Sequence, residues 1–314
     1  MLSVIVPCRD AAKHLPVMLA AAQRNTDDDV EWVLVDDGST DATPRLLRAF
    51  VPVRGVARVV STSGGTGVVA ARAAGMAEAS GRYLTFVDAD DWLAPAHLQA
   101  MTAVIRALDV DFVRCDHLQV TGVQRVLRRV PETRRGRALA AHDGIDVRPR
   151  TVSAVDAPNI WAGVYDRRLA ERGLLHVDPA IRTAEDRLMI WRLHLHAERY
   201  AVADLSGYRY RREVRGSLTA IGDERQLHFF DAYDALGADL DADPALERFR
   251  PKAVRAYVEV IAHHEASRER FHPVVHRRFR DRARTTLRSL PAPLVEQAVQ
   301  QLTPERARIV RRLA

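Results

Sequence analysis

The chain opens on an apolar run, Leu2 to Val6, that Pro7 stops, and the period then changes. Leu15, Met18, Leu19 and Ala22 recur at helical spacing, which predicts a helix over 11–24. Glu31 to Val35 reads as a second strand, Thr43 to Phe50 as a helix with Leu46, Leu47 and Phe50 on one face, and Val56 to Thr62 as a third strand. An alanine-rich helix follows from Val68 to Ala79. Then come a strand from Tyr83 to Val87, a helix from Pro95 to Leu108 and strands over Phe112–Cys115 and 124–130. This alternation predicts an α/β fold, a Rossmann-like and mostly parallel sheet with helices on both faces. Residues 131–150 carry five arginines with little periodicity and read as a mobile loop. The alternating pattern resumes from Asn159 to Leu205. Beyond Gly222 it is helical only, interrupted at Pro244, Pro251, Pro273, Pro291, Pro293 and Pro304. The pattern divides the chain into an α/β domain over 1–220 and an all-helical domain over 221–314.

Composition narrows the class. With 314 residues and 47% hydrophobic content, the chain can bury a full core, which excludes wholesale disorder. Cys8 and Cys115 are the only cysteines, so a disulfide framework is excluded and a reducing compartment fits. The N-terminal apolar run is too short for a signal peptide, and no run approaches the roughly 18 apolar residues of a membrane span. A cytoplasmic protein is expected. The net charge of +6 adds anionic partners to the picture. Most of it is local, because residues 248–314 hold 16 basic and 6 acidic residues. That region lacks interleaved aromatics, which argues against nucleic acid. A helix face packed on the α/β domain, contacts in a homo-oligomer, and peripheral docking at the inner face of the membrane or on an anionic polymer are the three readings of it.

The candidate chemistry sits at strand ends. The strand Tyr83–Val87 runs into Asp88, Asp90 and Asp91. Carboxylates this close repel one another unless a counter-charge is supplied. A divalent cation with oxygen ligands, Mg²⁺ or Mn²⁺, would supply it. Open α/β sheets place ligands at the carboxyl ends of strands, so the motif reads as a metal and diphosphate site. A solvated acidic turn is the plain alternative. The second strand ends in Asp36-Asp37-Gly38-Ser39-Thr40-Asp41. Asp37 can accept a hydrogen bond from a base or a ribose, Gly38 permits a tight turn, and Ser39, Thr40 or Asp41 can cap the next helix. A rival motif, Gly65-Thr66-Gly67-Val68-Val69-Ala70, matches the G-x-G-x-x-A dinucleotide fingerprint. It follows the third strand instead of the first, pairs with a cluster of acids where a ribose needs one, and leaves Asp36 and Asp37 without a role.

Taken in order, Ser3–Pro7, Val35–Asp41, Gly67–Arg72 and Gly81–Asp91 resemble glycosyltransferase family 2, a likeness that extends over roughly residues 1–220. The resemblance implies a GT-A fold, a nucleotide-sugar donor, most simply a UDP-sugar, and a Mn²⁺ or Mg²⁺ ion. It implies that Pro7 and Arg9 line the nucleotide pocket, that Asp37 holds the base, and that Arg72 lies near the nucleotide or holds the acidic loop. Asp88 and Ala89 would face the ribose, and Asp90, with Asp88, the metal. Arg9-Asp10 and Ala73 depart from the family's usual residues. Downstream, Glu185-Asp186 before Leu188–Leu193 resembles the family's acidic motif on the acceptor side; two acids favoured by the macrodipole of a helix start are the alternative. An inverting transfer needs a general base for the acceptor hydroxyl, and Asp186 is the candidate, with Glu185 beside it. Tyr208–Arg212 and Gly216–Thr219 resemble the tail of the same domain. His194 and His196 fall on different sides of a helix and are given no metal role. The expected activity is transfer of a sugar to a hydroxyl of a polysaccharide, a teichoic-acid-like polymer or a lipid-linked acceptor. A nucleotide-sugar-binding protein of the same fold without transferase activity is the alternative.

Overall fold

Strand and helix alternate through the first half of the computed structural model, which describes residues 1–212 and 222–314. In order these are β1 (Leu2–Cys8), α1 (Leu15–Ala22), β2 (Val30–Asp36), α2 (Thr43–Ala49), β3 (Val56–Ser61), α3 (Val68–Glu78) and β4 (Tyr83–Phe86). Then come β5 (Trp92–Leu93), α4 (His97–Leu108), β6 (Phe112–Thr121), β7 (Gln124–Arg128), β8 (Leu139–Ala140), β9 (Gly163–Asp166), α5 (Arg167–Glu171), α6 (Glu185–His196) and β10 (Arg199–Arg211). Five helices close the chain: α7 (His228–Ala242), α8 (Arg250–Ala266), α9 (Pro273–Ser289), α10 (Ala292–Gln301) and α11 (Pro304–Leu313).

One sheet runs in the order β3-β2-β1-β4-β9-β6-β10-β5, with β7 paired to β6 and β8 to β10. The four strands β3, β2, β1 and β4 are parallel, so their carboxyl ends share one edge. β2 and β4 are buried along their whole length and β1 along nearly all of it, as central parallel strands covered on both faces must be. β9 enters antiparallel between β4 and β6, and β6 pairs parallel with β10. The sheet is therefore mixed beyond β4. The register between β6 and β10 shifts between Ala203 and Tyr208. Helix α3 lies unusually close to β1, because Gly75 faces the sheet without a side chain. A Cβ there would come within 2.4 Å of Ile5 Cγ2 and 3.0 Å of Val35 Cγ2.

Two expectations need correction. Residues 131–150 are packed, so the mobile loop does not hold. Asp116 accepts from the Val130 N–H at 2.9 Å and from Arg135 at 3.0 Å, Arg134 joins Glu132 to Asp143, and Leu139–Ala140 pairs with β10. Three of the arginines that blur the hydrophobic period, Arg134, Arg135 and Arg148, are tied to acids. The helix expected from Pro95 begins at His97, after Ala96 in a left-handed conformation. The proposed domain boundary at 220/221 and the Gly216–Thr219 motif lie outside the described residues. The C-terminal helices are fastened to the α/β part by charge as well as by apolar packing. Lys252, 1% exposed, bonds Asp156 and the Thr151 carbonyl, Arg255 bonds the Arg148 and Thr151 carbonyls, and Arg192 on α6 pairs with Asp239 on α7 at 2.7 Å.

The closeness of α3 to β1 sets up a contest of magnitudes. Gly75→Ala gains about 1 kcal/mol of helix propensity but overpacks a filled site, which costs about 1–3 kcal/mol. Net destabilisation of about 1 kcal/mol is expected in urea unfolding. A variant more stable than wild type would show that α3 can move off the sheet.

Candidate functional site

The carboxyl ends of β1, β2, β3 and β4 converge on two loops. Gly38, at φ +70°, lies so close to Gly64 that a Cβ would meet the Gly64 Cα at 2.4 Å. The two glycines let the β2 and β3 loops touch. Asp37, 2% exposed, binds the second loop: it accepts from Thr62 Oγ1 at 2.6 Å, from Thr66 Oγ1 at 2.6 Å, from the Thr66 N–H at 3.0 Å and from the Gly67 N–H at 2.9 Å. Burial pushes its pKa up, but these bonds outweigh it and hold the carboxyl below the usual range. An ionised carboxylate offers about four acceptor positions. Oδ1 of Asp37 takes three of these bonds and Oδ2 one, from the Gly67 N–H. The resemblance to a dinucleotide fingerprint has this explanation: the glycines wrap an internal aspartate. Arg9 lies beside them, its Nη1 4.0 Å from Asp37, with the guanidinium against Gly65. Pro7 is at the end of β1 in register with Val35. Asp41 accepts from the Thr43 N–H at 2.8 Å and so caps the start of α2.

The acidic turn after β4 divides its labour. The Asp91 N–H donates to the Asp88 carbonyl at 3.0 Å, which closes the turn around Ala89. Asp91, 1% exposed, points inward: it accepts from Tyr208 Oη at 2.8 Å and from the Arg211 N–H at 2.7 Å. Tyr208 Oη also accepts from the Asp88 N–H at 3.2 Å. Arg211 reaches the Asp90 carbonyl with Nε at 2.7 Å and stacks over Trp92. Asp91 is therefore a structural anchor of the turn. Asp90 accepts no side-chain hydrogen bond from another described residue, and burial together with the Asp88 charge pushes it up to about 6.

The decisive contact is at Arg72. It is 3% exposed on α3 and lies over the Phe86 ring. Its Nη2 donates to Asp88 at 3.1 Å and its Nη1 to Asp186 at 2.7 Å, with Glu185 at 3.5 Å from the same nitrogen. Arg72 thus joins the strand-end motif to the start of α6. Glu185 is pushed up to about 7 by burial and by Asp186, against the pull of Arg72. Asp186 is raised mainly by burial, and Arg72 opposes this. Ala184 precedes both acids at φ +62°, a left-handed residue that costs about 1–2 kcal/mol in a chain of L-residues. The Arg72 Nε–H has no hydrogen-bond partner among the described residues.

The fit of a divalent cation can be judged from these groups. Among the described residues, no group of three or more His, Cys, Asp or Glu side chains forms a metal cage. What remains is a pair, Asp88 and Asp90, carrying an excess of negative charge at the surface of the cleft. That suits a cation which takes one or two carboxylates and completes its shell with substrate phosphates and water.

The sequence picked out every acid in this cluster, and Arg72. It missed the turn's supports, Tyr208 as a bridge and Arg211 as a latch, which come from a strand some 120 residues away. It also missed Trp161, stacked on Tyr208 with ring centroids 4.3 Å apart. His194, deep in the core, donates its Nδ1–H to the Ala141 carbonyl at 2.8 Å.

Residues 3–154 match the family model described as glycosyl transferase family 2. Over 221 residues the chain is 28% identical to the uncharacterized glycosyltransferase EpsJ of Bacillus subtilis, which covers 70% of this chain and 63% of that protein. Over 186 residues it is 31% identical to the succinoglycan biosynthesis protein ExoO of Rhizobium meliloti, covering 58% of this chain and 52% of that one. The chain thus spans less than two thirds of the length of both relatives. In three dimensions it resembles residues 1–349 of S. aureus TarS, solved in complex with UDP-GlcNAc, with a TM-score of 0.74 at 18% identity over 99% of this chain and 87% of that one. The resemblance establishes the GT-A fold with a helical C-terminal part. With its motifs in family order, the stretch 3–154 is a glycosyltransferase family 2 region, and the chain as a whole shares the fold of TarS.

Proposed function

We propose that the chain is a metal-dependent, inverting glycosyltransferase. It transfers a hexosyl or N-acetylhexosaminyl group from a UDP-sugar to a hydroxyl of a polysaccharide, a teichoic-acid-like polymer or a lipid-linked acceptor. The observation that carries this reading is the Arg72 bridge between Asp88 and Glu185–Asp186. It brings a donor-side acid and an acceptor-side acid pair to one guanidinium, an arrangement that donor binding alone does not require. The UDP and UDP-GlcNAc complexes of TarS support a uridine donor.

In this mechanism Arg9 and the loop shaped by Asp37 receive the nucleoside, with Pro7 and Ala89 as neighbouring wall. Asp88 faces the ribose and, with Asp90, holds Mn²⁺ or Mg²⁺. When bound, the cation neutralises charge on the diphosphate leaving group. Asp186 accepts the proton of the acceptor hydroxyl as its oxygen attacks the anomeric carbon. Burial raises its proton affinity toward what a general base needs, while Arg72 keeps the carboxylate oriented and ionised. Glu185 shares the same guanidinium and maintains the negative field that holds Arg72 in place.

Asp90→Ala is expected to abolish the Mn²⁺-dependent gain in UDP affinity measured by calorimetry. In wild type the same gain weakens as pH falls through about 6, because the Asp90 carboxyl then takes up a proton in competition with the cation. A gain that survives the substitution removes Asp90 from the metal site.

Asp186→Asn is expected to keep UDP affinity while turnover falls about 10²–10⁴-fold, the usual contribution of a general base. Turnover is read as UDP released from UDP-GlcNAc with water or added glycan as acceptor. Arg72 keeps Asp88 and Glu185 as partners, so the fold persists, which a thermal melt checks. Unchanged turnover excludes Asp186 as the base.

A further inference from the structure

Arginines gather in one concave place far along the chain from the sheet-edge site. The end of α8, the turn after it, α9 and α11 enclose a cleft of about 270 Å³. Arg268, Arg280 and Arg312 line it, with His276, over an apolar patch of Ile309 and Leu313. Its one acid, Glu265, is already paired: His276 Nε2 lies 2.8 Å from one carboxylate oxygen and Arg280 Nε 3.9 Å from the other. The Arg280 Nε is buried and has no hydrogen-bond partner among the described residues. Arg268 and Arg312 are exposed and pair with no carboxylate among the described residues.

Three guanidiniums therefore face one cleft against a single engaged carboxylate. Their mutual repulsion is relieved by an anion with several oxygens. Guanidinium forks match the oxygens of phosphate in pairs. The volume is at or below the small end of ligand pockets, which suits a phosphate and a short piece of its carrier better than a nucleotide sugar. Ile309 and Leu313 offer that carrier an apolar contact. We propose that this cleft binds a phosphate group, carried on a lipid headgroup or on a soluble phosphate compound. None of Asp88, Asp90 or Asp186 lines it, so the proposal stands apart from the transferase reading.

The test uses the full chain in three forms: wild type, Arg268→Gln/Arg312→Gln, and the charge-matched control Arg277→Gln/Arg284→Gln, whose positions lie outside the lining. The substituted side chains are at least partly exposed, and thermal melts confirm folding. Inorganic phosphate and glycerol phosphate are titrated by calorimetry, and vesicles of phosphatidylglycerol in phosphatidylcholine are tested by cosedimentation. The cleft variant is expected to lose affinity about tenfold or more, as removal of charge-assisted bonds implies, while the control matches wild type. Cleft-dependent binding of vesicles, displaced by inorganic phosphate, assigns a lipid headgroup. Cleft-dependent binding of the soluble probes alone assigns a soluble phosphate compound. If no probe distinguishes the cleft variant from wild type, or if both double variants lose binding equally, the proposal fails, because the basic surface then acts only as a diffuse charge.

Discussion

A guanidinium buried among three carboxylates holds this molecule's site together. A charge withdrawn from water is tolerable only when it is paired and hydrogen-bonded. Arg72 meets that condition through Asp88, Asp186 and Glu185. The requirement works in both directions. Without Arg72, the acids at the start of α6 would lie buried beside Asp88 with no counter-charge. Even with it, burial first and Asp186 second push the Glu185 carboxyl above the usual range. The close seat of α3 on β1, made by Gly75, puts the guanidinium one turn away at the correct depth.

Negative charge continues along the acidic turn. Asp91 is engaged by Tyr208 Oη and the Arg211 N–H, and so fixes the turn. Asp90 is left half-buried with a raised proton affinity. One acid anchors the turn and its neighbour is left for a ligand. Asp37 follows the anchoring pattern at the end of β2, two strands away, where four hydrogen bonds make it the organiser of a loop. Acids that look alike in a motif therefore differ in role according to how many donors the fold aims at them.

Arginine carries much of the long-range structure elsewhere too. Arg114, fully buried in β6, bonds the carbonyls of Ala154 and Ala157, ahead of the Ile160 backbone that supports Asp186. Lys252 and Arg255 tie α8 to residues 148–156. Among the described residues Arg72, Arg114, Lys252 and Arg255 are thus internal, and a few of the remaining arginines gather in a cleft of the C-terminal helices.

The alternation of period, the strand ends marked by Asp37 and Asp88, and the helix start at Glu185 were all legible in the sequence. Each depends on residues within a turn or two of one another, where spacing alone dictates which side chains share a face. Arg72, Asp88 and Asp186 were also recognisable as a set, through motifs in family order. Their union was not, because Arg72 and Asp186 are 114 positions apart and meet only when α3 and α6 pack against the same sheet edge. The antiparallel β9, inserted between β4 and β6, and the register shift in β10 that delivers Tyr208 and Arg211 to the acidic turn, were equally hidden. The arginine-rich stretch 131–150 shows the limit most directly: its local period is weak because its order comes from ion pairs within the stretch, from Asp116 and from pairing with β10. The sequence by itself determined which groups were available and which strand ends held them. Tertiary structure alone decided which acids were neutralised and which were left to bind, because pairing of buried charge depends on packing between elements far apart in the chain.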